Sequence, residues 1–539
     1  MTNFKFSKSY KIVAATMLGL ALAACGGNDT AGVGTNSEAA AVNQTGWPIV
    51  DEPITLSMMG PHMGLSDWSD MPFFIELAEK TNINFDFTTP PTGDFSTNLN
   101  LALNSGQLPD VILGAGMSAA QQIEFGSQGM LLPLQDLIEQ YAPNLSRLLA
   151  ENPEIRQNIT APDGNIYALP QINQSAEASW MVQPMWYNGT WLDALDAEVP
   201  TTLDEFTALM LRFRDEMPEI IGAPVFPISD GLQWVHARNW MLSVFGITTR
   251  AHEVIDGTVQ FNATTDNYRA YLEWMRMAFE EGILHPEIFS LSSEQNSALG
   301  QNNQVGFFQS WYSMFFLQQT DEEGLNNPMF RPLISDWAPT PVIQRAPGMA
   351  AGTFVITNTN PSPEATMRWV DFFYSEEGSL FSFFGPEGAY YERAVNSQGE
   401  EVFVVAPGRD LTDDQTRGVV TPFYGFPGPH VLQDFPPVLP DASTPADLTF
   451  RDFIAQETAN NILAFGKVPF PPTMLLAEEA DQIALINADL NMFLEQQEAA
   501  FITGQQPLND DTWAAFQQTL ENIGVGELVD VWQTAFDRR

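Results

Sequence analysis

The chain has 539 residues, with 22 Lys and Arg against 67 Asp and Glu, a net charge of −45 at neutral pH. A field of that sign repels phosphate backbones and anionic headgroups, which excludes nucleic acid and an electrostatically held membrane surface as partners. Hydrophobic residues make up 44%, too many for wholesale disorder, and the length exceeds one ordinary core, so two lobes are expected.

Lys5, Lys8 and Lys11 come first, followed by Ile12 to Ala24, a mostly apolar run ending in Leu22-Ala23-Ala24-Cys25. A basic start, a short apolar stretch and small residues before a cut form a secretory signal over 1–24. The run is too short to span a bilayer, which takes about 20 apolar residues. Cys25 is the only cysteine, so it forms no internal disulfide. Leu22–Cys25 resembles a bacterial lipobox, which implies cleavage before Cys25, lipidation of that residue and a protein anchored outside the cytoplasmic membrane by its acyl chains. Beyond residue 24 the only lysines are Lys80 and Lys467. Such an acid excess suits either a saline habitat, where salt screens self-repulsion, or simply an acidic exported protein. Residues 25–48 are small and polar, a flexible tether.

Structure is expected from Trp47 onward. Ile54 to Met58 reads as a strand, and Pro72 opens a helix through Lys80 with Phe74, Leu77 and Ala78 on one face. Ile83 to Phe87 is a second strand, Phe95 to Ser105 a helix, and Val111 to Leu113 a third strand. Alternating strands and helices at this spacing predict an α/β fold with a parallel sheet. Ligands of such open sheets sit beyond the carboxyl ends of the strands. This points to Gly60–Asp70, which holds Asp67 and Trp68, and to Gly114–Met117, which holds Gly116.

Pro162-Asp163-Gly164-Asn165 turns the chain into Ile166–Pro170. Thr202 and Glu205 form a capping box ahead of a helix whose Leu203, Phe206, Leu209, Met210 and Phe213 share one face. Asp266–Glu281 is a second amphipathic helix stopped by Gly282. Val305–Phe308 is a strand leading to Ser310-Trp311, with Gly306 allowing close backbone approach. Thr353–Thr357 is another, and Ser362-Pro363-Glu364 caps a helix to Glu377 with Gly378 past its end. Residues 405–450 read as Pro- and Gly-rich loops, and Ala477–Gln497 and Asp511–Phe536 as terminal helices.

The segments FFIELAEKTNINFDF, LNSGQLPDVI, PDGNIYALP, WYNGTWLDAL, YLEWMRMAFEEGILHPE, VGFFQSW and NPSPEATMRWVDFFYSEEG occur in that order. Together with the lipobox they resemble bacterial extracellular solute-binding proteins of family 1, the receptors of ATP-binding-cassette sugar importers. FGPEGAYYE and ELVDVWQTAFDR resemble a longer branch associated with oligosaccharide uptake. The resemblance implies a two-lobed type II periplasmic-binding-protein-like fold with a hinge and an interlobe cleft. It assigns 49–170 plus 348–395 to the first lobe and 171–347 plus 396–539 to the second, with crossings near Pro170–Asn173 and Ala346–Thr353. It also implies an extracytoplasmic monomer that passes a sugar or oligosaccharide to ABC permease subunits, without cofactor or metal. A receptor for a peptide or other small solute is the alternative, and a surface carbohydrate-active enzyme a third.

No catalytic signature supports the last of these. The five histidines are scattered, and neither a zinc motif, a nucleophile elbow nor a Walker loop is present. Sugars offer apolar C–H faces and hydroxyl edges, so their sites combine aromatic platforms with polar partners. The candidate ligand residues are therefore Asp67, Trp68, Gly116, Trp180, Trp234 and Trp311, with Glu387 and Tyr390 added by the FGPEGAYYE resemblance. For each tryptophan the competing reading is a core or rim aromatic.

Overall fold

The computed structural model describes residues 41–539, apart from 64, 181–182, 231–235, 410–414, 437 and 444–449. The signal peptide, Cys25 and Trp234 lie outside the described residues. Strands β1 (Ile54–Met59), β2 (Ile83–Thr88) and β3 (Val111–Leu113) run parallel, with β1 between the others. The helix Pro72–Thr81 returns the chain from β1 to β2. It has Pro72 in its first turn, buries Phe73, Phe74 and Leu77, and ends on left-handed Asn82, where a short amide side chain tolerates the positive φ. Strand β4 (Leu169–Asn173) follows in the same sheet.

The chain then builds a smaller sheet from β5 (Met185–Tyr187), β6 (Phe226–Ile228) and β7 (Val305–Gln309). Here β7 is central, antiparallel to β5 and parallel to β6. The capping box forms as expected: Thr202 accepts from the Glu205 amide, and the helix runs Leu203–Ile221. Its Phe206, Met210 and Phe213 pack on β7 in a large core that also takes in the C-terminal helices through Leu494, Phe516 and Leu528. Gly306 serves that core. A Cβ there would lie 2.5 Å from Phe213 and 2.7 Å from Trp191, so the close approach is between helix and strand.

Strand β8 (Met349–Ile356) returns to the first sheet, antiparallel to both β3 and β4, and β9 (Val431–Leu432) closes its edge beside β4. The order is β9-β4-β8-β3-β1-β2. Ile172, Met349 and Val431 belong to the first core, whereas Trp180, Ile343 and Phe450 belong to the second. Among the described residues, three chain segments therefore connect the two lobes. Two of these links run side by side, with Ala346 N–H donating to Ser179 O at 2.8 Å, and Gln174 N–H reaches Leu432 O on the third at 2.7 Å.

Several expectations need correction. Residues 396–539 do not all go to the second lobe: Phe423 and Val431 pack in the first core, because β9 finds its hydrogen-bonding edge on β4. The helix expected to end at Glu377 ends at Asp371, and a new one starts at Glu376 with Ser375 as its cap, placing Gly378 inside its first turn. The last helix breaks at Gly524, φ +117°, into Asp510–Ile523 and Val525–Asp537. The tether is docked from residue 42, where Val42 bridges Val50 and Arg368 donates to the carbonyls of Asn43 and Gly46.

Candidate functional site

On the first lobe, the carboxyl ends of β1 and β3 lead into the two expected loops. Trp68 turns back over Gly60, where a Cβ would meet its ring at 2.1 Å, and is only 2% exposed. Its ring stacks on Phe74 at 5.3 Å and meets the edge of Phe87 at 5.8 Å. The structure thus places Trp68 in the core, with its apolar area already buried. Asp67 stays in solvent with its carboxylate 3.6 Å from the His62 ring. The loop after β3 is strapped to β8 by Ala115 N–H to Thr353 O and Met117 N–H to Gly352 O. Gly116, at φ +54°, is exposed with open space where a Cβ would point.

On the second lobe, β7 ends at Gln309, and Ser310 is gripped from both sides. Trp186 Nε1 donates to its carbonyl at 2.9 Å, and its hydroxyl donates to Tyr312 O at 2.6 Å. These bonds aim Trp311 outward, 44% exposed. The edge of Trp180 meets it at 5.3 Å and 69°. Trp180 itself is buried, with Nε1 donating to Thr458 Oγ1 at 3.1 Å. Tyr312 donates its hydroxyl to Glu177 at 2.9 Å, which ties the same cluster to the segment entering from the first lobe. The structure therefore brings Trp180 and Trp311 together, a buried ring bracing an exposed one.

Glu387 and Tyr390 fall elsewhere. Glu387 accepts from the Arg393 amide at 3.1 Å and pairs with its guanidinium at 3.4 Å. Tyr390 is buried and stacks on Phe384 at 5.8 Å, in a separate cluster with Tyr391, Phe403 and Phe435. A small sheet of Tyr391–Val395, Glu401–Val405 and Val438–Leu439 supports this cluster.

Sequence reasoning missed the segment Arg417–His430, which reaches the loops at the strand ends. Met63 packs against Gly425, Leu65 against Gly418, and Phe426 lies on Gly114. Its glycines and aromatics were legible as a loop, but nothing local says which loop it covers. His430, just before β9, is held well below its ordinary value, at about 3, by complete burial and by the nearby Arg417 cation. The neutral ring lies 3.0 Å from the Gln171 amide on β4. Among the described residues, no three His, Cys, Asp or Glu side chains gather as a metal site, and no helix is long and apolar enough to cross a membrane.

Comparison with known proteins gives the lineage. The fructooligosaccharide ABC transporter substrate-binding protein FusA of Streptococcus pneumoniae is 26% identical over 564 aligned positions, covering 99% of this chain and 98% of that protein. The polygalacturonan/rhamnogalacturonan-binding protein YtcQ of Bacillus subtilis is 24% identical across 43% of this chain and 45% of its own. Among solved structures, FusA in complex with kestose superposes with a TM-score of 0.69 at 24% identity, over 90% of this chain and 99% of that one. An extracellular solute-binding protein from Bifidobacterium longum subsp. infantis gives 0.72 at 19% identity, over 92% and 99%. These likenesses carry the two-lobed binding-protein fold. The family model of bacterial extracellular solute-binding proteins matches residues 66–379, more than half of the chain, and the chain belongs to that family.

Proposed function

We propose that this protein is the substrate-binding component of an ABC importer and takes an oligosaccharide between its lobes. The observation that carries the reading is the end-to-end match to a fructooligosaccharide-binding relative, joined to an exposed tryptophan braced by a second at the entry to the second lobe. An aromatic face and a polar surround suit a sugar ring. The similarity to YtcQ raises anionic uronides as ligands, but a net charge of −45 opposes their approach. In this reading the protein binds and releases its ligand unchanged, acts as a monomer and hands the sugar to permease subunits.

Calorimetric titration with kestose, longer fructooligosaccharides, other neutral oligosaccharides and short peptides tests the proposal. Saturable binding of a neutral oligosaccharide, recovered intact, is the expected result. Binding confined to peptides, or release of reducing ends, overturns it. We also propose that lipid on Cys25 anchors the protein outside the cytoplasmic membrane. Cys25→Ser should then abolish fatty-acid labelling and release the protein from membranes, and unchanged membrane association rejects the anchor.

A further inference from the structure

We propose that Phe426 is the first-lobe platform on which a sugar ring of the ligand stacks, the role that sequence alone suggested for Trp68. The proposal rests on the oligosaccharide reading above. Three aromatic rings at the edge of the first core stack in series at shallow angles to one another. Phe74 and Trp68 stack at 5.3 Å and 25°, and Trp68 and Phe426 at 6.4 Å and 23°. The inner two are buried, whereas Phe426 is only partly so. A ring of the ligand would add a further rung to this ladder.

The position of the outer rung is what gives it a function. Gly114 directly follows the last residue of β3, and a Cβ on it would lie 2.6 Å from the Phe426 ring and 3.1 Å from Pro61. Gly114 also has φ +64°, so glycine is required twice over, by the backbone conformation and by the seated ring. Phe426 therefore rests on the backbone at a strand's carboxyl end, where open α/β sheets receive their ligands.

The ring is also held before any ligand arrives. Phe423, buried beneath it, meets it edge-on at 6.1 Å and 66°. Arg417 lies 4.3 Å over Phe383 and 5.3 Å over Tyr424, fixing the start of the segment, and Met63 closes on Gly425. A side chain immobilised by its own protein loses little entropy on binding, so its contact area translates efficiently into affinity. Trp68 is then a positioning residue that supports the platform from behind.

The test titrates the full mature protein with kestose, or with whichever neutral oligosaccharide binds the wild type, and records thermal unfolding beside each titration. Phe426→Ala should weaken binding by about tenfold or more, the order expected for losing one aromatic platform. Phe426→Trp should bind within about threefold of wild type, since a larger flat face remains. Phe426→Leu keeps apolar volume without a ring and should fold normally while losing most of the same affinity. Wild-type affinity in Phe426→Ala or in Phe426→Leu overturns the platform. If Trp311→Ala loses affinity while the Phe426 variants keep it, the oligosaccharide reading stands and only this proposal falls. A wild type that binds no oligosaccharide overturns both.

Discussion

At the residue scale, exposure separates two tryptophans that the sequence treats alike. Trp311 is 44% exposed and Trp180 7%, so removing each disturbs a different equilibrium. Trp311→Ala should weaken sugar binding by about 2–3 kcal/mol, on the order of a hundredfold, from lost area and lost stacking. Its melting temperature should barely move, because little of its packing supports the fold. Trp180→Ala empties a core position and strands the Thr458 hydroxyl that accepts from its indole, a loss of about 3–5 kcal/mol of folding stability. Titration and thermal unfolding of both variants check the division. A collapsed melting temperature with intact affinity in Trp311→Ala would make that residue structural.

At the element scale, the pair of helices after β8 shows local signals competing. Ser362-Pro363-Glu364 reads as a start and Gly378 as a stop, and the apolar periodicity between them invites one helix. The chain instead stops at Asp371, makes a turn through Phe372–Tyr374, and restarts under the Ser375 hydroxyl, which accepts from Gly378 N–H at 3.0 Å. Gly378 is there for space. A Cβ would sit 1.8 Å from the Phe372 carbonyl oxygen. Replacing glycine with alanine inside a helix ordinarily gains about 1 kcal/mol. Here the contact is with backbone that has no room to yield, so Gly378→Ala should destabilise by about 1–3 kcal/mol. Chemical denaturation gives the sign directly, and a stabilised variant would show that the turn relaxes.

At the scale of the whole molecule, the described residues form two lobes joined by three segments, and we propose that this body closes as a hinge. Ligand shifts such a body toward closure only by the contacts it makes in the closed state and lacks in the open one. In the reading proposed above, platforms on opposite lobes would supply that difference: Trp311 follows β7, and Phe426 covers the end of β3. Small-angle scattering should therefore show a smaller radius of gyration with saturating oligosaccharide. The decrease should be lost in Trp311→Ala at a ligand concentration that no longer saturates it. An unchanged profile at proven saturation argues against closure by a hinge.

The sequence by itself determined the parallel strands, the capping box at Thr202 and the strand that presents Trp311, because periodicity and caps act within a few residues. It also marked the two strand-end loops as the place to look for ligand contacts. Tertiary structure alone decided that Trp68, the tryptophan in those loops, stays inside. Trp68 folds back because Gly60 leaves room above the backbone and Phe74 and Phe87 complete its cage. Phe426 arrives from more than 300 positions along the chain to cover Gly114. The return of β9 to the first sheet was equally hidden, since a two-residue strand carries no periodic signal and is fixed by the free edge of β4, by the Ser379 hydroxyl that donates to Val431 O, and by the first core. Contacts between segments so distant in sequence are chosen by packing and by unpaired backbone groups, which no local pattern records.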